Sequence, residues 1–125
     1  MSVNCYRQLE VWQFGITLTK QVYELTRAFP KHELYSLSNQ MQRAAVSIPA
    51  NIAEGHARWS TKEFLHHLSI ARGSLAELET MLTIAEELQY CQPSSTSPIF
   101  QLCDQVSRMM AGLRRSLNER MQRDV

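Results

Sequence analysis

Apolar residues recur along this chain at steps of three and four, and four separate segments carry that pattern. In the first, Val11, Phe14, Leu18, Val22, Leu25 and Phe29 form one helical seam, which Pro30 ends. A second stripe, Trp12, Ile16, Thr19 and Tyr23, lies beside it. It widens the apolar face beyond what one partner helix covers and points to contact between subunits. The second segment is predicted to be helical from between His32 and Ser36 to about Glu54, with Gly55 as its C-terminal cap. Its buried side is Leu37, Met41, Ala44, Ala45, Ile48 and Ile52. Pro49 stands inside this segment. A proline there removes a backbone donor and costs about 3 kcal/mol in a straight helix, so a kink near Pro49 or a division into two short helices is expected.

Ser60 and Glu63 form an S-x-x-E capping box, predicted to open a third helix that runs to about Gln89. Phe64, Leu68, Ala71, Leu75, Leu78, Leu82 and Ala85 are its seam, and Gly73 is expected to mark a tight crossing. Residues 90–98 have the strongest loop composition in the chain, with Ser97 placed to cap a fourth helix and Pro98 at its first position. That helix carries Ile99, Cys103, Val106, Met110, Leu113, Leu117 and Met121. Four helices of similar length joined by short turns predict an all-α fold, an antiparallel up-down four-helix bundle forming a single domain over residues 1–125.

Composition narrows the class. Of 125 residues, 44% are hydrophobic and 20% charged, a globular balance rather than a disordered or collagen-like one. No apolar run approaches membrane-spanning length, and the first dozen residues lack a basic stretch followed by an apolar one, so a cytoplasmic protein with no membrane partner is expected. Cys5, Cys91 and Cys103 are an odd set without metal-ligand spacing, which fits reduced thiols. A net charge of +1 removes the bulk-charge argument for nucleic acid and leaves only a local patch.

Two constellations are candidates for function. Arg43, Ser47, Asn51 and Glu54 share a face of the second helix, and Arg72 and Glu77 stand on the third. Where those helices meet, the six residues predict a polar network or subunit interface, in which an arginine fork pairs with Glu54 or Glu77. Arg108, Arg115, Arg120 and Arg123 fall opposite the fourth seam and offer phosphate contacts to RNA first, or to DNA. No aromatic platform accompanies them. The competing reading of this face is a solvated surface whose arginines favour the helix C-terminus.

Catalytic and metal chemistry find less support. Glu63-x-x-His66 has the spacing of di-metal bundles but lacks a second copy, and Glu63 is already used as a cap. His66 and His67 are expected to be a solvent-facing or interfacial pair. Arg72-Gly73-Ser74 lies within a helix and is not a phosphate loop, and no nucleophile has a motif context. No catalytic residue, metal or cofactor is assigned, and a non-enzymatic homo-oligomeric adaptor is expected. A protein-protein scaffold without nucleic acid and a metal-dependent bundle enzyme are the alternatives.

Longer motifs add a resemblance. Leu9-Glu-Val-Trp12, Val22-Tyr-Glu-Leu-Thr26 before Phe29-Pro30, Gln40-x-x-Arg-Ala-Ala-x-Ser-Ile-Pro-x-Asn-Ile-Ala-Glu-Gly55 and Ile70-Ala-Arg-Gly-Ser-Leu-x-Glu-Leu-Glu-Thr80 resemble the 23S rRNA intervening-sequence proteins over about residues 6–90. His67 stands where that pattern places an aromatic residue. The resemblance implies a bundle assembled as a ring of five subunits, with no established catalytic activity. It further implies a relation to retroelement accessory proteins that bind nucleic acid and a reverse transcriptase. Arg43, Asn51, Glu54, Arg72 and Glu77 match the motifs without an agreed role.

Overall fold

The three-four spacing folds as four α-helices: α1 (Glu10–Thr26), α2 (Leu37–Ala57), α3 (Thr61–Glu87) and α4 (Pro93–Arg123). Short 3-10 turns at Tyr6–Gln8 and Lys31–Glu33 precede α1 and α2. The computed structural model describes residues 5–123, so both extremes of the expected domain, with Asp124, lie outside the described residues. Among the described residues there is no strand, and no helix is long and apolar enough to cross a membrane. α1 and α3 each pack on both α2 and α4, whereas the backbones of the diagonal pairs stay apart among the described residues. Between them lies one core, in which Leu18, Met41, Ile48, Ile52, Leu78 and Leu82 are fully buried. Each such side chain contributes about 1.5–3 kcal/mol by leaving water.

α2 continues through Pro49 as one helix, so it is not divided into two. Proline at 49 has no N–H for the carbonyl four residues earlier, which belongs to Ala45. The Thr19 hydroxyl of α1 lies 3.1 Å from that carbonyl oxygen and 2.8 Å from its own Gly15 carbonyl, so its proton serves both. Gly15 also makes room for the proline ring: a Cβ there would sit 3.2 Å from Pro49 Cβ. α1 thus supplies both the donor and the space that the proline requires. Thr19→Val keeps the shape and deletes the donor. It is expected to lower stability by about 1–3 kcal/mol in denaturant titration, the cost of a part-buried carbonyl left unpaired.

The glycines fall differently from the sequence expectation. Gly55 does not cap α2, which runs on to Ala57; it is buried inside the helix. A Cβ on it would meet His67 Cβ at 2.8 Å and Phe64 Cδ1 at 2.9 Å, so α2 and α3 approach closely here. Gly73, the expected crossing, faces open space. Its position in the α3 seam's neighbourhood was misleading, because the spacing turns it outward to solvent.

The last turn also begins earlier. α4 starts at Pro93 rather than at Pro98, so the loop is 88–92 and not 90–98. Pro93 suits a helix start, since its ring presets φ and no N–H is needed there. Pro98 is tolerated inside α4 because the carbonyl it would have paired with belongs to the exposed Ser94, within reach of water. Ser97 is exposed within the helix, while the fully buried Thr96 donates its hydroxyl to the Glu86 carboxylate at the end of α3. α3 closes with Gln89 at φ 62°, the Tyr90 N–H bonding Ala85 O at 3.0 Å and the Gln89 N–H bonding Glu86 O at 2.9 Å. This is a Schellman closure made without glycine.

The same turn is fastened to the α1–α2 connection. Tyr90 Oη donates to Glu33 Oε2 at 2.8 Å, and its ring tilts against Phe29 with centroids 5.5 Å apart. The hydrogen bond from Tyr90 holds the Glu33 carboxyl below its ordinary range, and the Glu33 carboxylate pushes the Tyr90 phenol up. The clasp therefore stabilises the fold above the usual carboxylate pKa and weakens as acid protonates Glu33. On the outside of α1 and α2, Ile16, Tyr23 and Val46 remain exposed, while Trp12 is half-buried against the core and edge-on to Tyr6.

Candidate nucleic-acid interface

Lys62, His66 and Ser69 follow at helical steps on one side of α3, with Arg72 three residues on, and Ser107, Ala111, Arg114 and Asn118 do the same on α4. Where α3 and α4 meet, these rows form the walls of a groove of about 490 Å³. Leu65, Leu68 and Met110 supply its apolar floor. Lys62, His66, Arg72 and Arg114 all line it, and no carboxylate does. A net charge of +1 for the chain thus conceals a cleft of one sign. None of Lys62, Arg72 and Arg114 has an ion-pair partner among the described residues. These cations, held between low-dielectric walls, suit a string of phosphates.

The four arginines singled out on α4 are all exposed but do not act alike. Arg108 is engaged by Asp104 at 2.9 Å, one turn away. Arg115 and Arg123 are exposed with no ion-pair partner among the described residues. Arg120 does not lie opposite the seam. It lines a second groove of about 510 Å³ with Arg58, Trp59, Phe64 and Leu117, at the end of the bundle where α2 turns into α3. The wheel position explains this: Arg120 is three residues from Leu117, which is buried.

The polar seam between α2 and α3 is a chain of hydrogen bonds. Ser74 Oγ donates to Ser47 Oγ at 2.9 Å, and Asn51 Nδ2 donates to Ser47 O at 2.8 Å and to Ser47 Oγ at 3.0 Å. His67 Nδ1 lies 3.0 Å from Asn51 Oδ1; because that oxygen only accepts, the bond needs the proton on Nδ1. Glu54 is 3.9 Å from the same ring nitrogen and binds Arg58 at 3.0 Å, which also reaches Glu63 at 3.8 Å. Ser47, Asn51 and Glu54 are therefore joined. Arg43 and Glu77 line a shallow groove farther along the same seam, beside the exposed Tyr35, and have no ion-pair partner among the described residues. Arg72 stands across α3 in the basic groove instead.

His67 was not legible as a member of this seam. Its side chain is 13% exposed and inserted beside Gly55, whereas His66, its ring edge-on to His67 at 5.6 Å, is exposed and faces the basic groove. The seven-residue step from His67 to Ser74, which puts both on one face of α3 as the four-residue step puts Ser47 and Asn51 on one face of α2, was the available signal. Ser60 caps α3 by accepting from the Glu63 N–H at 3.3 Å. Among the described residues no three His, Cys, Asp or Glu side chains gather as metal ligands. Burial, reinforced by Glu79, pushes the Cys103 thiol up to about 12, so it has no thiolate at neutral pH.

The seam residues coincide with the longest motif of the chain, Gln40 to Gly55, and its neighbour Ile70 to Thr80. The family described as 23S rRNA-intervening sequence protein matches residues 7–112, from the first turn through most of α4. The chain belongs to that family. The match takes in the whole α2–α3 seam and three of the basic-groove cations, Lys62, His66 and Arg72. It stops before Arg114, Arg115, Arg120 and Arg123, so those four belong to the part of α4 outside the family match. No curated protein matches the chain.

Proposed function

We propose that this protein is a non-enzymatic adaptor, an antiparallel up-down bundle that assembles as a homo-oligomer and binds nucleic acid, RNA first, through its α3–α4 groove. The single observation that carries this reading is the groove itself, lined by Lys62, His66, Arg72 and Arg114 without a carboxylate. Arg115 and Arg123 add exposed positive charge to α4. The antiparallel arrangement is supported by the order of contacts: Gly15 faces Pro49 while Gln42 reaches Thr26, and Ser47 meets Ser74 while Asn51 meets His67. Pro49 is the position where α2 bends.

Assembly is supported by Ile16, Tyr23 and Val46, apolar side chains exposed on the α1–α2 side away from the groove. A ring of five follows the family likeness, and repeating the groove around it multiplies phosphate contacts. Free Cys5, Cys91 and Cys103 fit a reducing cytoplasm.

The test is retention of single-stranded RNA by the purified protein as salt is varied, alongside its mass in solution. The expected result is a linear fall of log affinity with log salt, and Lys62→Ala, Arg72→Ala and Arg114→Ala together reduce that slope by about 2, at roughly 0.7 per single-strand phosphate contact. Binding that ignores salt, or a slope unchanged in the triple variant, overturns the groove as the interface.

A further inference from the structure

Trp59 is the most exposed large hydrophobic side chain among the described residues, its ring wholly in solvent on the short turn between α2 and α3. An indole in water loses the burial that normally favours it, so a tryptophan held at a turn calls for an occupant. It does not stand alone: the groove it lines also holds Arg120, Arg58 and the hydroxyl residues Ser60 and Ser116, and no carboxylate is among the lining residues. Arg58 is already engaged by Glu54 at 3.0 Å and lies 3.8 Å from Glu63, which holds it toward those carboxylates. Arg120 has no ion-pair partner among the described residues and is the cation left to meet an anion.

We propose that this groove takes one unpaired nucleotide of a single strand, its base stacked on Trp59 and its phosphate on Arg120. The inference rests on the nucleic-acid reading above and deepens it. A flat exposed π-face beside an uncommitted guanidinium matches the two parts of a nucleotide, and every base offers such a face only when it is unpaired. The groove's volume, about 510 Å³, lies in the range of sites for small ligands, about 300–1,000 Å³. Both grooves border the first turns of α3 and the last turns of α4, Lys62 and Arg114 lining one and Thr61 and Arg120 the other.

The chain has two tryptophans, so Trp12→Phe leaves Trp59 as the sole indole reporter. Short single-stranded RNA is expected to quench its fluorescence to saturation, while inorganic polyphosphate, which has charge but no base, binds without quenching. Trp59→Ala is expected to weaken single-strand binding roughly five- to hundredfold with the salt slope unchanged, and Arg120→Ala to lower that slope by about 0.7. RNA that is retained without quenching, or with equal affinity by Trp59→Ala, overturns this inference and leaves the groove reading standing. No retention of any nucleic acid overturns both. Quenching that follows protein concentration without RNA shows that a second copy covers Trp59, and also overturns it.

Discussion

Gly55→Val is expected to lower the stability of this protein by about 3 kcal/mol or more, since inserting carbon into a filled crossing typically costs about 1–3 kcal/mol and here two neighbours resist. A Cβ at position 55 would lie 2.8 Å from His67 Cβ and 3.3 Å from Phe64 Cα. Neither atom is the free end of a flexible side chain, so α2 and α3 must move apart. That separation also strains the Asn51–His67 bond, since both partners flank the crossing. Gly73→Ala is the internal control. Nothing opposes a Cβ there, and relief of glycine's cost in a helix raises stability by about 0.8–1 kcal/mol. Denaturant midpoints of the two variants should move in opposite directions; a neutral Gly55→Val would mean that the helices cross elsewhere.

Leu82→Ala is expected to cost about 2–5 kcal/mol, the range for truncating a fully buried leucine whose surroundings collapse incompletely. Leu82 is 0% exposed and sits among Leu78, Met81 and Ala85 on the buried side of α3. For a chain of this length the loss amounts to roughly 10 °C in thermal midpoint, at several degrees per kcal/mol. A shift of only one or two degrees would place the core elsewhere than on the α3 seam.

Both variants mark what the sequence could and could not reveal. Leu82 was legible because a three-four period needs only local order, and the α3 seam from Phe64 to Ala85 is buried throughout. The capping box at Ser60 was legible for the same reason, since its bond spans three residues. The close contact expected at Gly73 falls at Gly55 instead, because the space around a glycine is set by another helix, and no periodicity along one helix reports it. The start of α4 was missed because Pro93 and Pro98 are both admissible as a first helical residue; burial of Thr96 and its bond to Glu86 decide between them. The end of α3 near Gln89 was legible, although its left-handed closure stands on glutamine where glycine is the usual residue.

The candidate sites divide along the same line. Ser47, Asn51 and Glu54 were readable as one stripe, but their partners His67, Ser74 and Arg58 come from elsewhere in the chain or the far turn. The basic groove needed two helices at once: Arg72 was grouped with the seam, and Arg114 belongs to the same basic stretch as Arg115 but not to the face opposite the fourth seam. Trp59 lies outside every amphipathic stripe, so its exposure became meaningful only beside Arg120.

The joint between Thr19 and the Ala45 carbonyl bears on how the chain comes together. Because the middle of α2 lacks one of its own backbone links, that turn is weak until the preceding helix docks, and nucleation there is a cooperative act of two segments rather than one. The first hairpin should therefore form as a unit during folding, with side-chain perturbations at Thr19 and around Pro49 slowing the same kinetic step.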